Sequence, residues 1–201
     1  MGFFDLFKKK PKVNGVIAYL NLQEWWLNEL TDNERNLILE KAPGIIEGNI
    51  SSTSRTAVSL ITGMVGMFAK PQEVRSAGYK LINKAESLID SSTNALDIHF
   101  LYSTKVEFSY KDRETLENGL ENSIHACNQQ IEFAPTAAKS FKKSYKSSPL
   151  PSHKGYTQLA IIMEKQKSYN EVIRLCTKAK SQGWAGDWDK RIERCEKKLK
   201  A

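Results

Sequence analysis

Apolar positions recur along this chain at three- and four-residue intervals, the period of helices that bury one face. Leu20, Leu22, Trp25, Trp26 and Leu27 crowd one short segment. Thr31 and Glu34 then stand ahead of Leu37, Ile38 and Leu39. This is a capping-box pattern: the Thr hydroxyl accepts from the Glu amide and the Glu carboxylate reaches back to the cap amide. Pro43-Gly44 stops that helix, and residues 44–53 read as a loop. Residues 54–69 are apolar and end before Pro71, and 72–89 set Val74, Ala77, Leu81, Ala85 and Leu88 on one face. Ser91-Ser92-Thr93 precedes residues 94–110, whose Leu96, Ile98, Phe100, Leu101, Val106 and Phe108 could suit a strand but whose length favours a helix. Leu116, Leu120, Ile124, Cys127 and Ile131 mark a further helix ending near Pro135. Residues 136–153 form a polar, lysine-rich connection that closes on Pro149-Leu150-Pro151. Helices follow near 154–166, 169–182 and 187–200. With no strand pattern anywhere, the predicted class is all-α.

Paired helices of this length invite a search for internal repeats. Tyr156, Leu159 and Ala160 place a large residue, a leucine and a small residue on one face, and the stretch from Glu164 to Ile173 forms the turn into a second helix. In this, the segment resembles a tetratricopeptide repeat. Ala160 and Ala179 stand where small residues let two backbones approach. The departures are Val172 in place of the family's Ala, Lys167 in place of Gly, and Gly183-Trp184 in place of Pro, although Gly also ends helices well. Leu120 to Ile124, Cys127, Ile131 and Ala134-Pro135 repeat the second-helix register more loosely, and 54–89 offers a third hairpin out of clean register. The layout also resembles that of small repeat proteins of bacteria and their phages. The resemblance implies antiparallel helical hairpins in a right-handed superhelix. The charged segment 187–200 would be the C-terminal capping helix that such arrays require. It also implies a ligand surface lined by first helices, to which Lys154, Thr157, Gln158, Ile161 and Lys165 would contribute. Thr157 and Ile161 stand where carboxylate-clamp versions carry polar or basic residues, which points to a short helical or apolar segment as ligand.

Composition narrows the classes. The 201 residues, 40% of them hydrophobic, exclude a wholly disordered chain, and 6 Pro with 11 Gly exclude proline-rich or collagen-like ones. Three cysteines make no disulfide framework and suggest a reducing cytoplasm. The most apolar stretch, 57–69, is too short to span a bilayer and is interrupted by Ser59, Thr62, Gly63 and Gly66. An export signal is not expected, because the lysines follow the N-terminal apolar patch instead of preceding it.

The net charge of +7 is unevenly distributed. Residues 1–12 carry four Lys and one Asp, 136–154 carry five Lys and no acid, and 178–200 carry eight basic and four acidic side chains. The rest of the chain is therefore mildly acidic. In the leader, Phe3, Phe4 and Phe7 can share a helical face ahead of Lys8, Lys9 and Lys10, a pattern suited to weak contact with an anionic membrane or to docking on protein. In the connection, Phe141 and Tyr145 alternate with Lys139, Lys142, Lys143 and Lys146, which suits either a solvated loop or phosphate contact with aromatic stacking.

Chemistry-bearing motifs are sparse. No two of His99, His125 and His153 stand four apart on a helix, and neither HExxH nor CxxC occurs, so no metal site is expected. His99 and His125 read as ordinary helix residues, and Cys127, Cys176 and Cys195 as small buried hydrophobes. There is no GxSxG, Walker loop or dinucleotide fingerprint, so no cofactor and no catalysis are predicted. Adjacent Trp25 and Trp26 point about 100° apart on a helix and can both be buried only where elements meet. Trp184 and Trp188 stand at a second such place.

Three regions are predicted: a basic amphipathic leader over 1–14, an N-terminal helical unit over 15–53, and a tetratricopeptide-like array over 54–201 containing the basic connection 136–154. The expected function is a protein- or peptide-binding adaptor in the cytoplasm. Nucleic-acid binding through the lysine-rich segments, or peripheral membrane attachment through the leader, are the alternatives.

Overall fold

The computed structural model describes residues 12–146 and 149–200, and these are mostly helical. The chain divides into two compact units, one ending at Leu88 and the other beginning at Ile89. Residues 57–88 thus pack with the N-terminal helices, whereas the sequence pattern grouped them with the later hairpins.

The first unit contains α1 (Gly15–Tyr19), α2 (Gln23–Asn28), α3 (Asp32–Lys41), α4 (Ala57–Val65) and α5 (Arg75–Ser87), with short 3-10 turns between them. α1 lies on the turn that follows α3: the Asn14 and Gly15 amides donate to the Ile46 and Gly48 carbonyls. Gly15 has φ +59°, and a Cβ there would sit 2.7 Å from the Glu47 nitrogen, so only glycine fits this contact. The Thr31–Glu34 capping box forms in both directions, at 3.3 and 2.7 Å. Arg35, one turn into α3, donates to the Trp26, Leu27 and Leu30 carbonyls and so caps the end of α2. Trp25 and Trp26 are both buried, edge to face at 6.3 Å. Leu60, Ile61, Met64 and Val65 of α4 and Ala77, Leu81, Ile82 and Ala85 of α5 supply most of the remaining core.

The second unit contains α6 (Ala95–Lys111), α7 (Gly119–Ser144), α8 (Lys154–Lys165), α9 (Tyr169–Gln182) and α10 (Trp188–Lys200). Each helix packs on its neighbour in the chain, and α6 also touches α8. α7 corrects the sequence reading, because it does not end at Pro135 but runs on to Ser144. A proline inside a helix removes one hydrogen bond and costs about 3 kcal/mol. Here Ala134, Ala137, Ala138 and Phe141 continue the buried stripe of Cys127 and Ile131 straight through it, and that packing outweighs the lost bond. The lysine-rich segment is therefore helix up to residue 144, and the connection proper is only a few residues long.

Two short strands, β1 (Leu150–Ser152) and β2 (Trp184–Ala185), pair in parallel with Leu150 opposite Trp184. They are too short for an alternating pattern to show in the sequence. α7 and α8 approach closely at Gly155, where a Cβ would lie 2.8 Å from the Cys127 carbonyl oxygen. Gln130, fully buried on α7, ties three helices together: its Oε1 accepts from the Gly155 amide at 2.6 Å and its Nε2 donates to the His99 carbonyl at 3.3 Å.

Candidate functional site

On α8 the residues Lys154, Thr157, Gln158, Ile161 and Lys165 recur at three- and four-residue steps and share one face. That face borders α6: Lys154 forms an ion pair with Glu107, and the Lys165 ammonium donates to the Tyr110 hydroxyl at 3.4 Å. Thr157, Gln158 and Ile161 between them are half-buried. Where α6 and α8 end, a cavity of about 150 Å³ opens, lined by Tyr110, Arg113, Leu120, Ile162 and Lys165. The Arg113 guanidinium lies 4.2 Å from the centre of the Tyr110 ring, donates to the Tyr110 carbonyl at 2.9 Å and pairs with Glu114 at 2.8 Å. The cavity is thus apolar inside and charged at its mouth, suited to one apolar side chain whose neighbours are polar.

Behind this face, Glu164 holds α10 to α8. Its carboxylate accepts from Arg191 at 2.9 Å and from two Arg194 nitrogens at 2.8 Å, and Lys198 stands at 3.5 Å. The Arg194 bonds, reinforced by the charges of Arg191 and Lys198, hold the Glu164 carboxyl down to about 2. The Glu164 carboxylate is thereby fully engaged within the fold and acts as a tie between helices. Sequence reasoning missed it, because Glu164 and Arg194 are joined only by the fold.

Of the lysines of the predicted connection, Lys139, Lys142 and Lys143 lie on α7 and Lys146 lies just past its C-cap residue Tyr145. Lys139, Lys142, Lys143 and Lys146 are all exposed, Phe141 is buried, and Tyr145 is exposed. The other N-terminal candidates, Phe3, Phe4, Phe7, Lys8, Lys9 and Lys10, lie outside the described residues.

The histidines separate by environment. His125 is exposed, but His99 and His153 are buried with ring centres 5.4 Å apart. His99 stacks parallel to Trp184 at 5.4 Å, and Phe141 and Tyr156 complete the cluster. The His153 Nδ1 accepts from the Tyr156 amide at 3.3 Å and caps α8, while the His99 Nδ1 and His153 Nε2 have no hydrogen-bond partner among the described residues. Burial lowers the His99 pKa to about 4. Burial, with the adjacent His99, takes His153 to about 3. Both rings are therefore neutral and apolar in character near pH 7. The pairing was not visible in the sequence, since the two residues meet only through the packing of α6, α7 and α8.

The cysteines behave as packing residues. Burial raises the Cys127 thiol to about 12 and the Cys176 thiol to about 11, and all three are free and buried. Among the described residues, no three His, Cys, Asp or Glu side chains converge to hold a metal ion, and no helix is long and apolar enough to cross a membrane. No family model, curated protein or solved structure matches this chain.

Proposed function

We propose that residues 89–201 form a tetratricopeptide-like, non-catalytic interaction module that takes a peptide segment along α6 and α8. The observation that carries this reading is the contact of α6 with α8 across the intervening α7. Two first helices of successive hairpins meet in this way in a repeat array. Residue pairings support opposed directions within each hairpin. Phe100, early in α6, meets Phe141, late in α7, while Lys105 reaches back to Gln129 at 2.9 Å. Tyr156, early in α8, bonds Gln182 at the end of α9 at 3.2 Å, and Lys180 near that end pairs with Asp189 at the start of α10 at 2.6 Å. In this reading α10 closes the array as its cap.

The ligand would be a short peptide with an apolar anchor. The Tyr110, Leu120 and Ile162 cavity accepts that anchor, and Lys154, Thr157, Gln158, Ile161 and Lys165 flank the remainder. Selection of a random peptide library on the full chain, followed by calorimetry on the enriched peptide, tests this. Ile161→Glu should weaken binding at least about tenfold, the order of one lost contact of roughly 1.4 kcal/mol. Failure to enrich any peptide with an apolar anchor, or binding indifferent to Ile161→Glu and Lys165→Glu together, overturns it.

A further inference from the structure

We infer that the exposed lysines at the C-terminal end of α7 (Lys139, Lys142 and Lys143, with Lys146 just past the cap), together with the aromatic side chains of Phe100 and Tyr145, are a binding surface for single-stranded nucleic acid. Because α7 continues through Pro135, the four lysines at 139, 142, 143 and 146 fall at i, i+3, i+4 and i+7. At about 100° and 1.5 Å per residue the first three form one stripe on α7 roughly 6 Å long, and Lys146 follows just past the C-cap residue Tyr145. At about 3.4 Å per phosphate along a strand, that stripe spans roughly two phosphate intervals, and with Lys146 the four lysines can meet at most about four phosphates. The opposite face of the same turns carries Ala134, Ala137, Ala138 and Phe141, all buried, so the stripe can only face solvent.

The stripe is also electrostatically open. On α7 the acid before the stripe is the exposed Glu132, two turns ahead of Lys139, and from residue 133 to 163 the sequence contains no Asp or Glu. Glu164, the next acid along the chain, is occupied by Arg191, Arg194 and Lys198. Among the described residues, none of the four lysines makes an ion pair, unlike Lys154 or Lys180. Four like charges within eight residues, three of them on adjacent turns of α7, repel one another, and a polyanion relieves that repulsion.

Aromatic exposure selects the kind of polyanion. Phe100 and Tyr145 are 51% and 56% exposed, the two most exposed aromatic side chains among the described residues. Each lies against Phe141, at ring distances of 6.0 and 6.1 Å, so both exposed rings emerge at the margin of the buried face of α7, and Tyr145 falls between Lys143 and Lys146 in the chain. Unpaired bases stack on such rings without sequence preference while lysines neutralise the backbone as point charges. A membrane is disfavoured, because an interfacial helix needs its apolar face free and α7 spends that face on the core. Of the other outward residues here, Thr136 and Ser144 are polar and Pro135 is apolar. A duplex hides the base faces that Phe100 and Tyr145 would use.

Fluorescence anisotropy with the full chain and a labelled oligothymidylate of about 20 nucleotides tests the inference. Binding should weaken by about 0.7 log unit per neutralised phosphate for each decade of salt. Replacing Lys139, Lys142, Lys143 and Lys146 together by Gln should abolish most binding at low salt. It should also lower that slope by at most about 3, the contribution of four phosphates. A charge-matched control, with Lys12, Lys178, Lys190 and Lys200 changed to Gln, should retain binding. Tyr145→Ala should weaken the oligothymidylate by roughly 5- to 150-fold and leave a duplex of equal length unaffected. Circular dichroism of each variant confirms that the helices persist. The inference is overturned if the chain does not bind the oligothymidylate at about 50 mM salt, or if the control variant loses as much as the stripe variant. It also fails if Tyr145→Ala has no effect, or if phosphatidylserine vesicles bind through the stripe while the oligothymidylate does not.

Discussion

Lowering the pH from about 7.5 to 5 should destabilise residues 89–201 through two buried imidazoles. An unfolded histidine titrates near 6.5, so at pH 5 it is almost fully protonated. In the folded protein His99 and His153 are held near 4 and 3. The unfolded chain therefore binds more protons than the folded one throughout this interval, and stability must fall as protons are added. The contribution is complete above about pH 6.5 and declines as pH falls toward the folded values. At pH 5 each histidine costs about 2 kcal/mol relative to neutral pH, since roughly 1.5 units separate pH 5 from the unfolded pKa. The two together cost about 4 kcal/mol, a large share of the 5–15 kcal/mol of a typical domain.

This window belongs to the histidines. Glu34, Asp90, Glu164, Glu171 and Glu193 are all shifted below the ordinary carboxylate range, so their contributions are lost only at lower pH. Urea titrations followed through the Trp184 indole N–H resonance read the second unit by itself. His99→Phe preserves an aromatic ring against Trp184 but cannot be protonated, and it should halve the loss between pH 7.5 and 5. Adding His153→Asn retains a side-chain acceptor for the Tyr156 amide and should remove most of the remainder. Equal pH dependence in wild type and His99→Phe, or ring resonances of His99 and His153 titrating near 6.5, would refute the reasoning.

Three further perturbations probe the packing. Gly155→Ala places a Cβ 2.8 Å from the Cys127 carbonyl, and the resulting separation of α7 and α8 should cost about 1–3 kcal/mol in a thermal melt. Glu164→Gln removes the charge shared by Arg191, Arg194 and Lys198 and should cost roughly 1.5–3 kcal/mol by urea denaturation at pH 7. In wild type this contribution is full above the ordinary pKa of 4.5 and disappears as pH falls toward about 2, so the variant should converge on wild type in acid. Ellman's reagent should find Cys127, Cys176 and Cys195 unreactive in the native protein near pH 8 and all three reactive after denaturation, because burial keeps the thiols protonated.

What the sequence revealed followed the range of the interactions involved. The Thr31–Glu34 cap lies within one turn, and both of its hydrogen bonds form as the spacing predicts. The face of Leu81 and Ala85 is set by helical period alone and is buried. The end of α7 lies beyond the one predicted at Pro135 because a strong local signal competes there with a longer one. Ala134, Ala137, Ala138 and Phe141 carry the stripe of Cys127 and Ile131 forward at unbroken three- and four-residue steps. A proline's penalty is a single local term, whereas a buried stripe gains with every residue added. The His99–His153 cluster and the Glu164 hub were beyond reach for a different reason. Their members are 54 and about 30 positions apart, and only the packing of α6, α7 and α8, or of α8 on α10, brings them together.

The helical state of residues 136–144 also governs how the lysines there can act. As a flexible connection, the lysines at 139, 142, 143 and 146 would be a diffuse charge that any anion could meet in any geometry. With Lys139, Lys142 and Lys143 on the last turns of a helix whose other face is buried, three of the four have fixed spacing, and Lys146 follows the exposed cap residue Tyr145. Preorganisation of that kind reduces the entropy lost when a strand of phosphates aligns with the stripe. Rupturing α7 after Pro135 should therefore weaken oligothymidylate binding without removing a single charge. Replacing Ala138 by Gly, which favours local unwinding of the turn by about 1 kcal/mol, makes that comparison at constant net charge.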